Sequence, residues 1–495
     1  MRVWALVLLM LVMSAQAAQE VPDVAVLIDV SGSMHKNDPH DERTQALRLL
    51  LNLLPAGSRF TLWTFADTPE LIDRGSAMDS TQRSQALGVL NRIDAHGAWT
   101  DIHAALQSAL HELSQDTGQN RHVILLTDGF VELGHGVGAD KTSRDQVWTA
   151  DLQQAIAAHV HIHSIALGGD ADTALLRHLS LGSKGRFVQA QGQALTTAFL
   201  QIFDVAAPSQ RVPVEGHSFS VDTGVRDMTL LAFRPVNGQM MQLMPPDQQS
   251  WTASQHPASV RWVHTDQYDI VSVEKPLAGT WHLAADMGPD SRVSILSDMS
   301  LEVQGVPTNV SPNTPLTLTI ALRNREKVVT DADFLMLTTW TVEAGKVGDL
   351  WRKTLIYDGP EQGSVMVPGD GKFTVNLPGY AEPGDYVVRV RLISATFARE
   401  FDQLLHVTGH VADLPKAVVK RVATQEPVVS APKKSSYRLW LWILSGIFGV
   451  LLLGGLGLIA YVVWRKHKLR LAIEKAAVGG GEGQETSADD GHKKK

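Results

Sequence analysis

The chain has 495 residues, a formal net charge of -8, 44% hydrophobic and 19% charged residues, and no cysteine. Single cores rarely grow beyond roughly 250 to 300 residues, so this length calls for several domains of ordinary globular composition. A mildly acidic chain without a basic stripe leaves no electrostatic footprint for nucleic acid, and the missing cysteines exclude disulfides, thiolate metal centres and cysteine nucleophiles.

Residues 1–18 read as a secretory signal peptide. Arg2 is followed by an apolar stretch over 3–13 and by Ala15-Gln16-Ala17, the small-residue pattern of a cleavage site. That stretch is too short to span a hydrocarbon core of roughly 30 Å.

Residues 20–208 alternate β-rich apolar runs with helical periodicity, the pattern of a doubly wound, Rossmann-like α/β domain with a largely parallel sheet. Runs 24–28 and 123–126 are uninterrupted aliphatic stretches typical of buried central strands, and 60–65, 161–166 and 186–190 are weaker strand candidates. Asp38-Pro39 followed by Asp41 is a helix start, and Ala46, Leu47, Leu50, Leu51 and Leu54 form the apolar stripe behind it. His161 and His163 would share one strand face; without a third ligand placed beside them, they are read as satisfied core histidines and not as a zinc site.

The chemistry lies where the buried strands end. The first runs directly into Asp29-Val30-Ser31-Gly32-Ser33, so one carboxylate and two hydroxyls can converge on a point at the carboxyl end of a parallel strand. Oxygen donors of this kind suit a hard divalent cation. Trp99-Thr100-Asp101 opens a helical stretch, and Leu126-Thr127-Asp128-Gly129 closes the second buried strand.

On these three loops, and on Gly168-Gly169-Asp170-Ala171-Asp172 behind them, the domain resembles the von Willebrand factor A (integrin I-like) family, whose metal-ion-dependent adhesion site uses this set. The resemblance implies Ser31, Ser33 and Thr100 as direct metal ligands and Asp29 and Asp128 as ligands directly or through water. It implies magnesium as the cation, with manganese or calcium also fitting, and an open coordination position filled by an acidic side chain of a protein partner. Gly97-Ala98-Trp99-Thr100 departs from the Gly-Gly-Thr common in the family. Trp99 is therefore read either as a partner-binding contact or as a ring packed on the domain surface.

From 209 the sequence turns to short strand-like segments separated by Pro, Gly, Asn and Asp, which predicts two all-β sandwich modules, 209–298 and an Ig-like 299–410. Residues 411–436 read as a proline-containing stalk, and 439–464 is a charge-free apolar run long enough for a single transmembrane helix. Residues 465–495 read as a disordered cytoplasmic tail. Basic residues on the two sides of the span nearly balance, so the signal peptide sets the orientation, with the large domains exported and periplasmic if the cell is Gram-negative.

No enzyme signature accompanies the metal motif. A haloacid-dehalogenase-type phosphatase needs a second carboxylate at position 31, which is Ser31, and no Walker loop, His-Glu-x-x-His or Gly-x-Ser-x-Gly is present. The expectation is a metal-dependent binding protein anchored in the membrane, with a scaffold of an envelope complex as the alternative; oligomeric state is not encoded in any motif.

Overall fold

The structure is a computed structural model that describes residues 21–409 apart from 116, 117, 119, 235–238, 286, 348–353 and 361–365. The expected signal peptide, stalk, membrane span and tail lie outside the described residues. Among the described residues no helix is long and apolar enough to cross a membrane.

Strand β1 (Asp23–Asp29) organises the first domain, and all of its residues are buried. Successive strand side chains point to opposite faces. Val24, Val26 and Ile28 therefore enter one core with Leu47, Leu50 and Leu51 of helix Glu42–Leu53 and with Leu195, Phe199 and Ile202 of helix Ala194–Ala206. Ala25 and Leu27 enter a second core with Leu106 and Leu110 of helix Ile102–Ser114 and with Leu175 and Leu179 of helix Thr173–Gly182. A strand covered on both faces has no polar side, which is why its sequence shows an unbroken apolar run.

Strands β2 (Arg59–Phe65), β3 (Pro69–Gly75), β4 (Arg121–Thr127), β5 (Val160–Leu167) and β6 (Phe187–Ala190) complete a sheet of order β3-β2-β1-β4-β5-β6. All neighbours are parallel except β3, which runs antiparallel to β2. The chain leaves β1 towards β2 on one side and reaches β4 on the other, so the crevice at the carboxyl ends of β1 and β4 is the topological switch point of the sheet.

Two details differ from the sequence reading. Strand β3 was not anticipated: Glu70, Asp73 and Arg74 break its apolar pattern, as an edge strand allows. The first long helix begins at Glu42, not at Pro39. Asp38 still accepts the Glu42 N–H at 2.7 Å and the Arg43 N–H at 3.3 Å, but Asp41, at φ 54°, turns the chain between them.

After residue 209 the chain is β-rich. One long sheet runs through Val260–His264, Tyr268–Glu274, Val225–Phe233, Arg292–Ser297, Gln210–Val212, Ala398–Val407, Gly384–Ser394, Thr338–Lys346 and Thr354–Pro360. Two smaller sheets lie outside it, one containing Gly279–Leu283 and the other Leu316–Asn324. Trp281 and Trp340 are fully buried in the two β-rich cores. One module ends in a strand at Ser297 and the next strand begins at Met299, yet the short strand Gln210–Val212 pairs with both modules, Arg211 standing opposite Glu400. The two modules thus share one sheet, a continuity that a three-residue strand does not announce in sequence.

The β-rich part grips the first domain along its helices and its amino-terminal edge. Leu49 and Leu200 pack with Leu231, Tyr268 and Ile270. Arg261 donates to Asn52 Oδ1 at 3.0 Å, and Asn309 Nδ2 donates to the Gly185 carbonyl at 2.7 Å. Buried Arg186, just before β6, pairs with Asp385 at 2.9 Å. Among the described residues no hydrogen bond or ion pair joins the β-rich part to the carboxyl-edge loops that follow β1 and β4.

Candidate metal centre

Three loops meet at the switch point. The loop after β1 is held open by its own first residue: Asp29 Oδ1 accepts the Ser31 N–H at 2.8 Å, and Asp29 Oδ2 accepts from Thr127 Oγ1 at the end of β4. Ser31 Oγ lies 3.1 Å from Ser33 Oγ, and Ser33 Oγ donates to Asp128 Oδ1 at 2.8 Å. Asn37, in the short helix Met34–Asn37, donates to the second Asp128 oxygen at 2.9 Å.

The second loop is fastened on both sides. Gly97 N–H donates to Val30 O at 3.1 Å, and Gly97 O accepts the Gly32 N–H at 2.9 Å. A Cβ at Gly97 would lie 2.0 Å from the Ala66 Cβ, so no other residue fits there unless the backbones part. Thr100 exchanges both backbone hydrogen bonds with Glu132, at 2.8 and 3.1 Å, which ties this loop to the one after β4. A Cβ built on Gly129 would lie 3.5 Å from Thr100 Oγ1, so the buried Thr100 hydroxyl stands over the residue that follows Asp128. Asp101 is turned away and caps helix Ile102–Ser114 by accepting the Ala104 N–H at 3.0 Å.

Asp29, Ser31, Ser33, Thr100 and Asp128, the five residues singled out in the sequence, are thus gathered in one crevice from three loops. Sequence reasoning missed Asn37 and the role of Thr127, which orient the two carboxylates without belonging to any short motif.

The electrostatics of the crevice ask for a cation. Asp29 and Asp128 are both buried, and among the described residues neither has an ion-pair partner. Burial pushes Asp29 up to about 6, the Thr127 and Ser31 hydrogen bonds pull it partly back, and Asp128 raises it further. That rise is a cost of about 3 kcal/mol for holding the carboxylate ionised at neutral pH. Val24, Val26, Leu27 and Ile28 on the same strand outweigh it, since fully burying one such side chain contributes about 1.5–3 kcal/mol. A donor set of two carboxylates and three hydroxyls, held by neutral donors only, fits a hard divalent ion.

Trp99 does two things at once. It is 38% exposed, and its indole lies against the backbone of Gly134, where φ is +70° and a Cβ would come within 2.3 Å of the ring. The histidines of β5 take a different course. His163 Nδ1 accepts the Arg186 N–H at 3.0 Å, so the neutral ring carries its proton on Nε2 and donates it to His122 Nδ1 at 2.9 Å; His122 Nε2 donates in turn to Asn120 Oδ1 at 2.6 Å. His161 reaches the Ser183 carbonyl at 2.8 Å.

Part of the chain is similar to known proteins. Residues 24–130 match the family described as von Willebrand factor type A domain. Inter-alpha-trypsin inhibitor heavy chain H6 of Homo sapiens is 32% identical over 174 residues, 33% of this chain. The match spans only 13% of that much longer protein. Among solved structures, a von Willebrand factor type A protein from Catenulispora acidiphila aligns with TM-score 0.33 and 15% identity over 68% of this chain and 65% of its own. Proximal thread matrix protein 1 from the mussel byssus, solved with a zinc-occupied MIDAS motif, aligns with TM-score 0.32 and 20% identity over 38% of this chain and 46% of its own. With its β3-β2-β1-β4-β5-β6 sheet and the matched segment running from β1 through Asp128, the first domain of this chain is a von Willebrand factor type A domain.

Proposed function

We propose that the first domain binds a divalent cation, magnesium in the cell, and through it an acidic side chain of a protein partner. The observation that carries this reading is the pair of buried carboxylates, Asp29 and Asp128, gathered with three hydroxyls and given no cationic side chain. Ser31, Ser33 and Thr100 offer neutral oxygens, while Asp29 and Asp128 supply charge that roughly balances a divalent ion. These residues would hold a divalent ion that retains exchangeable water, which a partner carboxylate would replace. The chain's own residues do the rest: Thr127 and Asn37 fix the carboxylates, and Gly97 holds the second loop against the first.

The reading extends to the whole chain. The apolar segments at 3–13 and 439–464 support an exported protein anchored by one span, and the β-rich part, gripping helices and the amino-terminal edge, leaves the metal-site loops free to meet a partner. In this reading the protein acts by binding rather than by catalysis. Magnesium titration by calorimetry, paired with crosslinking in intact cells in magnesium or chelator, tests this. Capture of a partner should require magnesium and be lost in Asp29→Ala. Capture indifferent to both would leave a scaffold that uses another surface.

A further inference from the structure

Three of the exposed large apolar side chains of the first domain lie on the segments that carry or follow the crevice residues: Trp99 at 38%, Phe130 at 58% and Val137 at 84%. Trp99 immediately precedes the ligand Thr100, Phe130 follows Asp128 by two residues, and Val137 opens the next helix, Val137–Gln146. The Thr100–Glu132 backbone pairing holds the first two on one pair of loops, and the Trp99 ring is fixed in place on Gly134. Lys36, next in sequence to the Asn37 that holds Asp128, forms an exposed ion pair with Asp170 at 3.5 Å.

Resting on the metal-dependent reading above, we propose that the site recognises two neighbouring features of one partner segment: a carboxylate taken at the metal and a large apolar side chain, within one or two residues of it, taken by Trp99 and Phe130. A ring already immobilised by packing loses little freedom on binding, which suits an anchor. Phe130 and Val137 belong to neither core of the first domain, and Trp99 packs on Gly134 outside both. A bound cation would supply the charge complement for the acid, and the exposed Trp99 and Phe130 rings supply the apolar complement. The partner is therefore a protein segment in which an Asp or Glu has Phe, Trp, Leu or Met within one or two residues of it.

The test uses the full chain in detergent and a displayed peptide library with one fixed Asp and every flanking position varied, selected in magnesium and in chelator. Magnesium-dependent winners should carry a large apolar residue within one or two positions of the Asp. Phe130→Ala removes an exposed ring without touching either core; its winners should remain magnesium-dependent but lose that flank preference, and the wild-type winners should bind it on the order of 10-fold more weakly. Trp99→Ala should do the same and Trp99→Phe should largely restore it. Magnesium-dependent selection with no apolar preference would overturn this proposal and leave the metal reading standing. Selection that ignores chelator would overturn both.

Discussion

Asp204, in the last helix of the first domain, receives Arg292 at 2.8 Å and Arg211 at 3.1 Å, two arginines that belong to the β-rich part. The alternation continues: Arg211 reaches Asp402 at 3.3 Å, Arg389 bridges Asp402 and Glu400, and Arg391 closes the series on Glu400 at 2.6 Å. Seven charges of alternating sign thus join the first domain to both β-rich modules. Asp204→Asn takes the ion-pair partner from buried Arg292 and leaves Arg211 with Asp402, and breaking such a buried pair costs about 3–5 kcal/mol. A cavity of 360 Å³ lined by these same residues admits water, which places the expected loss at the low end. Thermal unfolding should shift down accordingly, and magnesium affinity should not change because, among the described residues, no hydrogen bond or ion pair joins the metal loops to this junction. A parallel loss of magnesium binding would show that the junction shapes the crevice.

Asp29 presents the opposite case, a carboxylate that weakens the metal-free fold. Asp29→Asn keeps an oxygen for the Ser31 N–H or for Thr127 Oγ1 and removes the buried charge, so the metal-free protein should gain stability, by at most about 3 kcal/mol. Magnesium affinity should fall at least about 10-fold, as one ligand charge is gone. Denaturant melts with and without magnesium read both effects in one experiment. A variant that loses stability in chelator as well would mean that the carboxylate is satisfied without a cation.

The candidate site was legible in sequence because Asp29, Ser31, Ser33 and Asp128 directly end or follow two strands that could not be mistaken. The runs 24–28 and 123–126 are apolar on both faces, and the residues that end them must emerge at one edge of a parallel sheet. What sequence concealed has one physical character: interactions between residues far apart in the chain. Asn37 sits in a helix of four residues, too short for periodicity, and finds Asp128 only through the fold. The Asp204 junction gathers residues from 204 to 402, and the shared β sheet turns on Gln210–Val212. Strand β3 escaped because an exposed edge tolerates charge.

Gly97→Ala tests how tightly the loops are fastened. The added methyl would fall 2.0 Å from the Ala66 Cβ, at a point where Gly97 also carries hydrogen bonds to Val30 and Gly32 on the loop of Ser31 and Ser33. Overpacking of this kind costs about 1–3 kcal/mol. The strain should appear in the crevice, because the easiest relief is for the second loop to withdraw, carrying Thr100 with it. Magnesium affinity should drop together with the melting temperature, whereas Thr100→Ala, which deletes one neutral ligand that water can replace, should lower affinity with little change in stability. Gly97→Ala with unaltered magnesium binding would show that the strain is relieved elsewhere, at Ala66.

The buried histidines give the first domain a dependence on pH whose sign follows from their environment. Loss of water pushes His122 down to about 3, with His161 adding to the effect; His163 is held well below its ordinary value by burial and then by His122, His161 and Arg186. In the unfolded chain both titrate near 6.5. Their folded pKa values are depressed, so the unfolded state binds protons that the folded state refuses, and the stability they contribute is present above about pH 6.5 and is lost as pH falls towards the folded values. Each contributes about 1.4 kcal/mol per pH unit within that window. Asp29 acts in the reverse sense in the metal-free protein: its raised pKa contributes stability below about 3.8 that is lost as pH rises through about 6. Comparing wild type with His122→Gln cancels the Asp29 contribution, and the glutamine retains a donor for Asn120 and an acceptor for His163. Urea midpoints measured from neutral pH down to about 4 should show the wild type losing about 1.4 kcal/mol per pH unit more than the variant. The slope, not the absolute stability, carries the result, so a variant that is weaker at every pH still reads. Parallel curves would mean that His122 accepts a proton inside the folded domain as readily as in the unfolded chain.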